Sequence, residues 1–157
     1  MKKCIIPVSI RNIDKNGCHL FIKGQLNKQK LNLVLDTGAS QTVFDLGRMK
    51  ELLGQSSFEE LDGMSTGIGK EKLLSHSVEV SKLKIGELMI RKKTIVLLNL
   101  DHINAFYQSI GYPHIDGIIG CDLLKKHKAI VDIGKKKLIL HLKSASKKKQ
   151  KKKRISS

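Results

Sequence analysis

The chain has no tryptophan, two tyrosines and four phenylalanines in 157 residues. A core built from it must therefore be aliphatic, and the Ile, Leu and Val that supply it favour strands wherever they alternate with polar residues. Cysteine is scarce and odd in number: Cys4, Cys18 and Cys121 stand far apart with no C-x-x-C. That excludes a disulfide scaffold or a cysteine zinc site and leaves free thiols. The six histidines form no H-E-x-x-H, so no metal is expected. No apolar run approaches transmembrane length. Met1-Lys2-Lys3 before Cys4-Ile5-Ile6-Pro7-Val8 imitates a secretory leader, but the apolar stretch is too short and ends at Arg11. A soluble, cytoplasmic protein is the expectation.

Acidic residues are also few, 14 against 30 Lys and Arg, for a net charge of +16. Eight of those bases lie in residues 143–154, which hold no acid; without them 22 bases face 14 acids. Residues 143–157 read as a basic, disordered tail, and residues 1–142 as one domain. The tail allows contact with a polyanion, either nucleic acid or an anionic membrane surface, although no aromatics interleave its lysines to stack on bases.

What is present is a succession of short strands. Residues 18–25 and 30–35 read as a hairpin turning at Asn27-Lys28-Gln29. Asp45 is placed to cap a helix over residues 46–53, with Gly54 as its stop. Residues 61–85 read as an extended hairpin around a glycine-rich tip, Met64 to Lys70, with strand pattern at Val78–Val80 and Leu83–Ile85. A further strand is expected at 94–98, a loop or irregular helix at 99–114, a short helix at 122–127, and a closing hairpin of 129–133 and 137–142 about Gly134-Lys135. Many strands and few helices indicate a closed or rolled sheet.

The chemistry-bearing candidate is Asp36-Thr37-Gly38, which an aliphatic strand runs straight into. A strand that ends in Asp and turns at Gly projects a carboxylate from the sheet, and Gly lets a facing backbone approach. The same three residues could equally form an Asx-type turn. Two other patterns are weaker. Gly63-Met64-Ser65-Thr66-Gly67 fits the spacing of a serine nucleophile elbow, but Gly-Ile-Gly-Lys is a poor start for the helix that must follow. Gly67-Ile68-Gly69-Lys70 lacks phosphate-loop spacing and has Glu71 where a hydroxyl should meet magnesium. Asp116 reads as a turn residue and Asp122 as a helix cap.

The order Leu33-Val34-Leu35-Asp36-Thr37-Gly38-Ala39-Ser40, a glycine-tipped hairpin, then Ile118-Ile119-Gly120 and a short helix resembles the retropepsin-like aspartic proteases over residues 18–142. The resemblance implies a mostly β, closed barrel or rolled sheet with one or two short helices and a flap hairpin. It implies that Asp36 is the catalytic carboxylate and that Thr37 grips the partner loop across a dimer axis. Gly120 would permit close passage behind the catalytic loop, and Ser65, Thr66, Gly67, Ile68 and Gly69 would lie in the flap. Two carboxylates sharing one proton are needed, because like charges a few ångströms apart cannot both ionise. Asp62-Gly63 and Asp116-Gly117 lack the hydroxyl residue between, so the second carboxylate must come from a second copy. Ala39 lacks the hydroxyl that pepsin-like members carry at that place, which predicts work at a less acidic pH. The resulting expectation is a homodimeric aspartic endopeptidase acting on a peptide or protein without a cofactor. Two alternatives share the pattern: an idle peptide-binding module of the same fold, and a nucleic-acid-associated protein docking through its tail.

Overall fold

The computed structural model describes residues 1–61 and 74–144. The tip of the expected flap, with Ser65, Thr66, Gly67, Ile68 and Gly69, and residues 145–157 of the tail lie outside the described residues. Within them the chain runs β1 (Lys2–Pro7), β2 (Ser9–Asn12), β3 (Cys18–Leu26), β4 (Gln29–Leu35), β5 (Val43–Asp45), α1 (Leu46–Leu53), β6 (Glu59–Leu61), β7 (Ser75–Ile85), β8 (Leu88–Leu98), α2 (Asp101–Ser109), β9 (Gly117–Ile119), α3 (Cys121–Lys126), β10 (Ile130–Asp132) and β11 (Lys137–Leu142). No helix among the described residues is long and apolar enough to cross a membrane.

The larger sheet has the order β2-β3-β4-β9-β5-β8-β7-β6, and a further pairing of β3 with β7 closes six of these strands into a barrel. The fold is mostly β, as the resemblance implied. β3 and β4 form a hairpin whose turn is Asn27 and Lys28, both at positive φ (46° and 71°). Two such residues give the twist that joins antiparallel strands, so Gln29 belongs to the strand rather than the turn. Successive residues of a strand face opposite ways. Accordingly Ile22 and its partner Leu33 enter the main barrel core, while Phe21 and its partner Val34 enter a second core with Val43, Leu100, Tyr107 and Ile115. Both faces of this hairpin are therefore buried, which is why Leu33-Val34-Leu35 runs apolar without a break. Burying each such side chain contributes about 1.5–3 kcal/mol.

A second sheet, β1-β11-β10, joins the beginning of the described chain to its end, with Lys2 opposite Leu142 and Pro7 opposite Lys137. Cys4, Ile6, Leu138 and Leu140 point from it into the main core. Residues 2–12, read from sequence only as too short for a leader, are thus two strands. The short strands β5 and β9 were likewise unmarked in the sequence, and the other differences are of extent. Residues 78–80 and 83–85 belong to one strand, β7. β8 reaches back to Leu88, and 101–109 is a regular helix. β6 and β7 pair antiparallel, with Leu61 opposite Ser75, as the limbs of the expected long hairpin. Helix α1 begins and ends where its caps predict. The Asp45 carboxylate accepts the Arg48 backbone N–H at 3.0 Å, and Gly54 closes the helix in the left-handed conformation at φ 60°.

Candidate active site

Asp36 stands at the C-terminal end of β4, and the loop 36–42 leads from it into β5. β9 lies between the two strands that this loop joins, parallel to β4 and antiparallel to β5. The chain at Gly117–Gly120 therefore passes directly behind the loop. A Cβ on Gly120 would sit 2.7 Å from the carbonyl carbon and oxygen of Gln41 and 2.9 Å from the Ala39 oxygen, and one on Gly117 would be 2.8 Å from the Val43 oxygen. These obstacles are backbone atoms, so they cannot swing aside. Gly120→Ala is expected to shift the loop and cost about 1–3 kcal/mol, the usual penalty for overpacking. An unfolding midpoint in urea equal to that of the wild type would show that the passage is looser than this.

The loop is stitched to that passage by hydrogen bonds. Asp36 N–H donates to the Ile119 oxygen (3.0 Å), Cys121 N–H to the Ala39 oxygen (2.8 Å) and Asp122 N–H to the Ser40 oxygen (3.2 Å). The Cys121 thiol donates to the Thr37 oxygen at 2.9 Å. The Thr42 hydroxyl accepts from Gly120 N–H (3.0 Å) and donates to the Asp122 carboxylate (2.7 Å), which also takes Thr42 N–H (2.8 Å). Asp122 is therefore not the cap of α3, as the sequence suggested. It lies in the first turn of a helix preceded by Gly120, and its carboxylate is spent on the loop. Asp116 is more than a turn residue. It is buried, accepts Asn32 N–H at 2.7 Å and pairs with the Arg48 guanidinium at 3.1 Å.

Asp36, Thr37 and Gly38 are exposed, although everything behind them is fixed. One Asp36 oxygen accepts Gly38 N–H at 2.8 Å, and no side-chain hydroxyl among the described residues bonds this carboxylate. Among the described residues a Cβ on Gly38 would meet only that same oxygen, at 3.1 Å, so they leave the outer side of the loop open within one copy.

Beside Asp36 opens a cleft of about 640 Å³, walled by Leu20, Val34, Ile118, Ile103 and Phe106. Helix α2 forms one side. It is held there by Asn104, which is buried and clips both backbone groups of Ile115: its amide nitrogen donates to the oxygen (3.1 Å) and its amide oxygen accepts the N–H (2.8 Å). Tyr107, one turn on, reaches the cleft with its hydroxyl 2.7 Å from His19 Nδ1, and the two rings meet edge to face. Burial, and next the negative charge of Asp36, push the Tyr107 phenol above its ordinary value of 10.0, so it stays protonated wherever a carboxylate could work. Sequence reasoning missed Thr42, Asp122, His19 and Tyr107 as parts of the site. Only α2 left a signal, in the helical spacing of Leu100, Ile103 and Tyr107. No group of three or more His, Cys, Asp or Glu among the described residues is arranged to hold a metal ion.

The sequence pattern of the aspartyl proteases matches residues 22–123, a stretch that contains β4, the Asp36 loop, β9 and the start of α3. The chain belongs to the aspartyl protease family. As a member of it, this aspartyl protease homologue is 25% identical over 123 residues to the UBA domain-containing protein Mud1 of Schizosaccharomyces pombe, covering 78% of this chain and 33% of that protein. The chain thus spans about a third of that curated relative. Among solved structures it superposes on a retropepsin-like aspartic protease from Rickettsia conorii with a TM-score of 0.55 and 21% identity, over 88% of this chain and 89% of that one. It superposes on the inhibitor-complexed EIAV protease with a TM-score of 0.50 and 19% identity, over 78% and 98%. At these identities the likeness is one of fold, and that fold is retropepsin-like.

Proposed function

We propose that the chain is an aspartic endopeptidase that hydrolyses peptide bonds as a homodimer, one Asp36 from each copy flanking a single water. The observation that carries this reading is the state of Asp36 in one copy. It is exposed at the mouth of an apolar cleft, on a loop fixed from behind. A lone carboxylate cannot both deprotonate water and polarise the scissile carbonyl. Two held together share one proton. The ionised one takes a proton from the attacking water, and the protonated one bonds the carbonyl oxygen and then supplies the proton that the leaving amine needs. The chain contains a single Asp-Thr-Gly, so the partner copy supplies the second carboxylate. In this reading the exposed Thr37 reaches across the twofold axis, the open side of Gly38 admits the partner loop, and Gly120 backs the site.

Cleavage profiling tests the assignment. The purified chain is incubated with a proteome-derived peptide library, and new internal termini are counted. Their absence at concentrations that give a dimer would overturn the reading and leave a peptide-binding module in its place. Activity is expected to extend into weakly acidic and near-neutral pH, because Ala39 gives the carboxylate pair no hydroxyl donor to favour its ionised form. Ala39→Ser adds such a donor, and the acid limb of the pH–rate profile is expected to move to lower pH. An unmoved limb, or a wild-type optimum confined to strong acid, would contradict this role for position 39.

A further inference from the structure

The Tyr107–His19 contact has a chemical consequence for the cleft. Tyr107 is 2% exposed, and a buried phenol needs an acceptor for its proton. Among the described residues the one acceptor within reach is His19 Nδ1, at 2.7 Å. The phenol therefore donates to Nδ1, and the neutral imidazole must carry its own proton on Nε2. If the imidazole gains a second proton, Nε2 still carries one. In either charge state Nε2–H is a donor. His19 lines the cleft beside Asp36, and among the described residues Nε2 has no partner within the chain, yet it is not among the buried orphan atoms. A fixed donor thus stands on a residue that lines the site, in a wall whose apolar part is Val34, Ile103, Ile118 and Phe106 and which also holds Cys18 and His102.

We infer that His19, oriented by Tyr107, is a specificity-determining residue that selects a substrate side chain with an apolar stem and a terminal carbonyl-type oxygen, glutamine or glutamate. The stem lies along the aliphatic wall, and the oxygen accepts from His19 Nε2. A leucine or methionine in the same subsite would bury this donor unpaired, which is how a polar site rejects an apolar analogue. Tyr107 acts through His19 as a positioning residue. This inference rests on the proposed peptide cleft but not on turnover.

Binding therefore tests it separately from catalysis. Full-length Asp36→Asn protein, unable to cleave, is panned against a peptide library with each position randomised in turn. The expectation is one position where Gln or Glu outbinds Leu and Met by about tenfold, the worth of one good hydrogen bond. In the His19→Leu background that preference is expected to reverse toward Leu, with the other positions unchanged. Tyr107→Phe keeps the ring and the packing but frees the tautomer, and is expected to reduce the preference several-fold. Raising salt separates the two ligands: a preference for Glu falls with salt and one for Gln does not. An identical profile in the His19→Leu and Tyr107→Phe backgrounds would overturn the inference while leaving the protease assignment standing. Selective binding without any cleavage by the wild type would overturn the assignment and leave the inference standing. Peptides that fail to bind at all would overturn the inference, and the assignment with it where the wild type also cleaves none of them.

Discussion

Asp36→Asn is expected to abolish peptide cleavage, by at least about a thousandfold, and to leave the fold intact. The size follows from what is removed: general acid–base groups contribute typically 10²–10⁴-fold, and here one substitution removes the base and the shared proton together. The fold survives because Asp36 contributes little to it. The side chain is exposed, and its hydrogen bond among the described residues is the one from Gly38 N–H, which the oxygen of an asparagine can also accept. The loop stays in place through backbone groups of Asp36, Ala39 and Ser40, none of which the substitution touches. The check is paired: the turnover rate with a cleavable peptide, and the midpoint of thermal unfolding. A variant that retains turnover within a few-fold of wild type, in a preparation free of contaminating protease, sinks the assignment of Asp36. A variant that loses its cooperative transition would show that the carboxylate holds the loop together.

The second large effect is poisoning in mixtures. If the site is assembled from two copies, a subunit carrying Asp36→Asn inactivates every wild-type subunit it pairs with. With three parts variant to one part wild type and free exchange, roughly a quarter of the wild-type subunits remain in wild-type dimers. Activity per wild-type chain should fall to about that level, whereas a protein catalysing as a monomer would show no fall. Dilution gives an independent reading. Below the dimer dissociation constant, rate should depend on concentration more steeply than first order. Strict proportionality down to concentrations where sedimentation reports a monomer, together with the absence of poisoning, rejects the shared site.

The legible parts of this fold were those specified by neighbours in sequence. Asp45 and Gly54 bracket their helix, and Asn27-Lys28 turn their hairpin, because caps and tight turns act over a few residues. What escaped depends on distant partners. β1 has only Cys4 and Ile6 as its buried pair, and it becomes a strand because β11 lies beside it. β8 runs through Arg91-Lys92-Lys93, a charged stretch that no hydrophobic pattern would mark, and it is carried by pairing along β7. Within α2 the buried face includes Asn104, a polar residue whose two bonds to Ile115 are visible only in three dimensions. The candidate site divides the same way. Asp36 announces itself through a strand ending in Asp-Thr-Gly, and Gly120 through the apolar pair before it. Thr42 with Asp122, and His19 with Tyr107, are joined across long stretches of chain by one hydrogen bond or two, so neither residue signals the other.

The pairing of β1 with β11 bears on how the molecule comes to be folded. During synthesis the first strand emerges long before the strand that completes its sheet. Until residues 137–142 leave the ribosome, Cys4 and Ile6 have no Leu138 and Leu140 to pack with, and one edge of β1 offers unpaired backbone groups to any passing chain. Contacts between such distant residues form slowly, because a long loop must be closed before it brings any return in packing. The nascent chain therefore passes through an interval in which β1 waits unpaired, with Cys4 and Ile6 not yet covered.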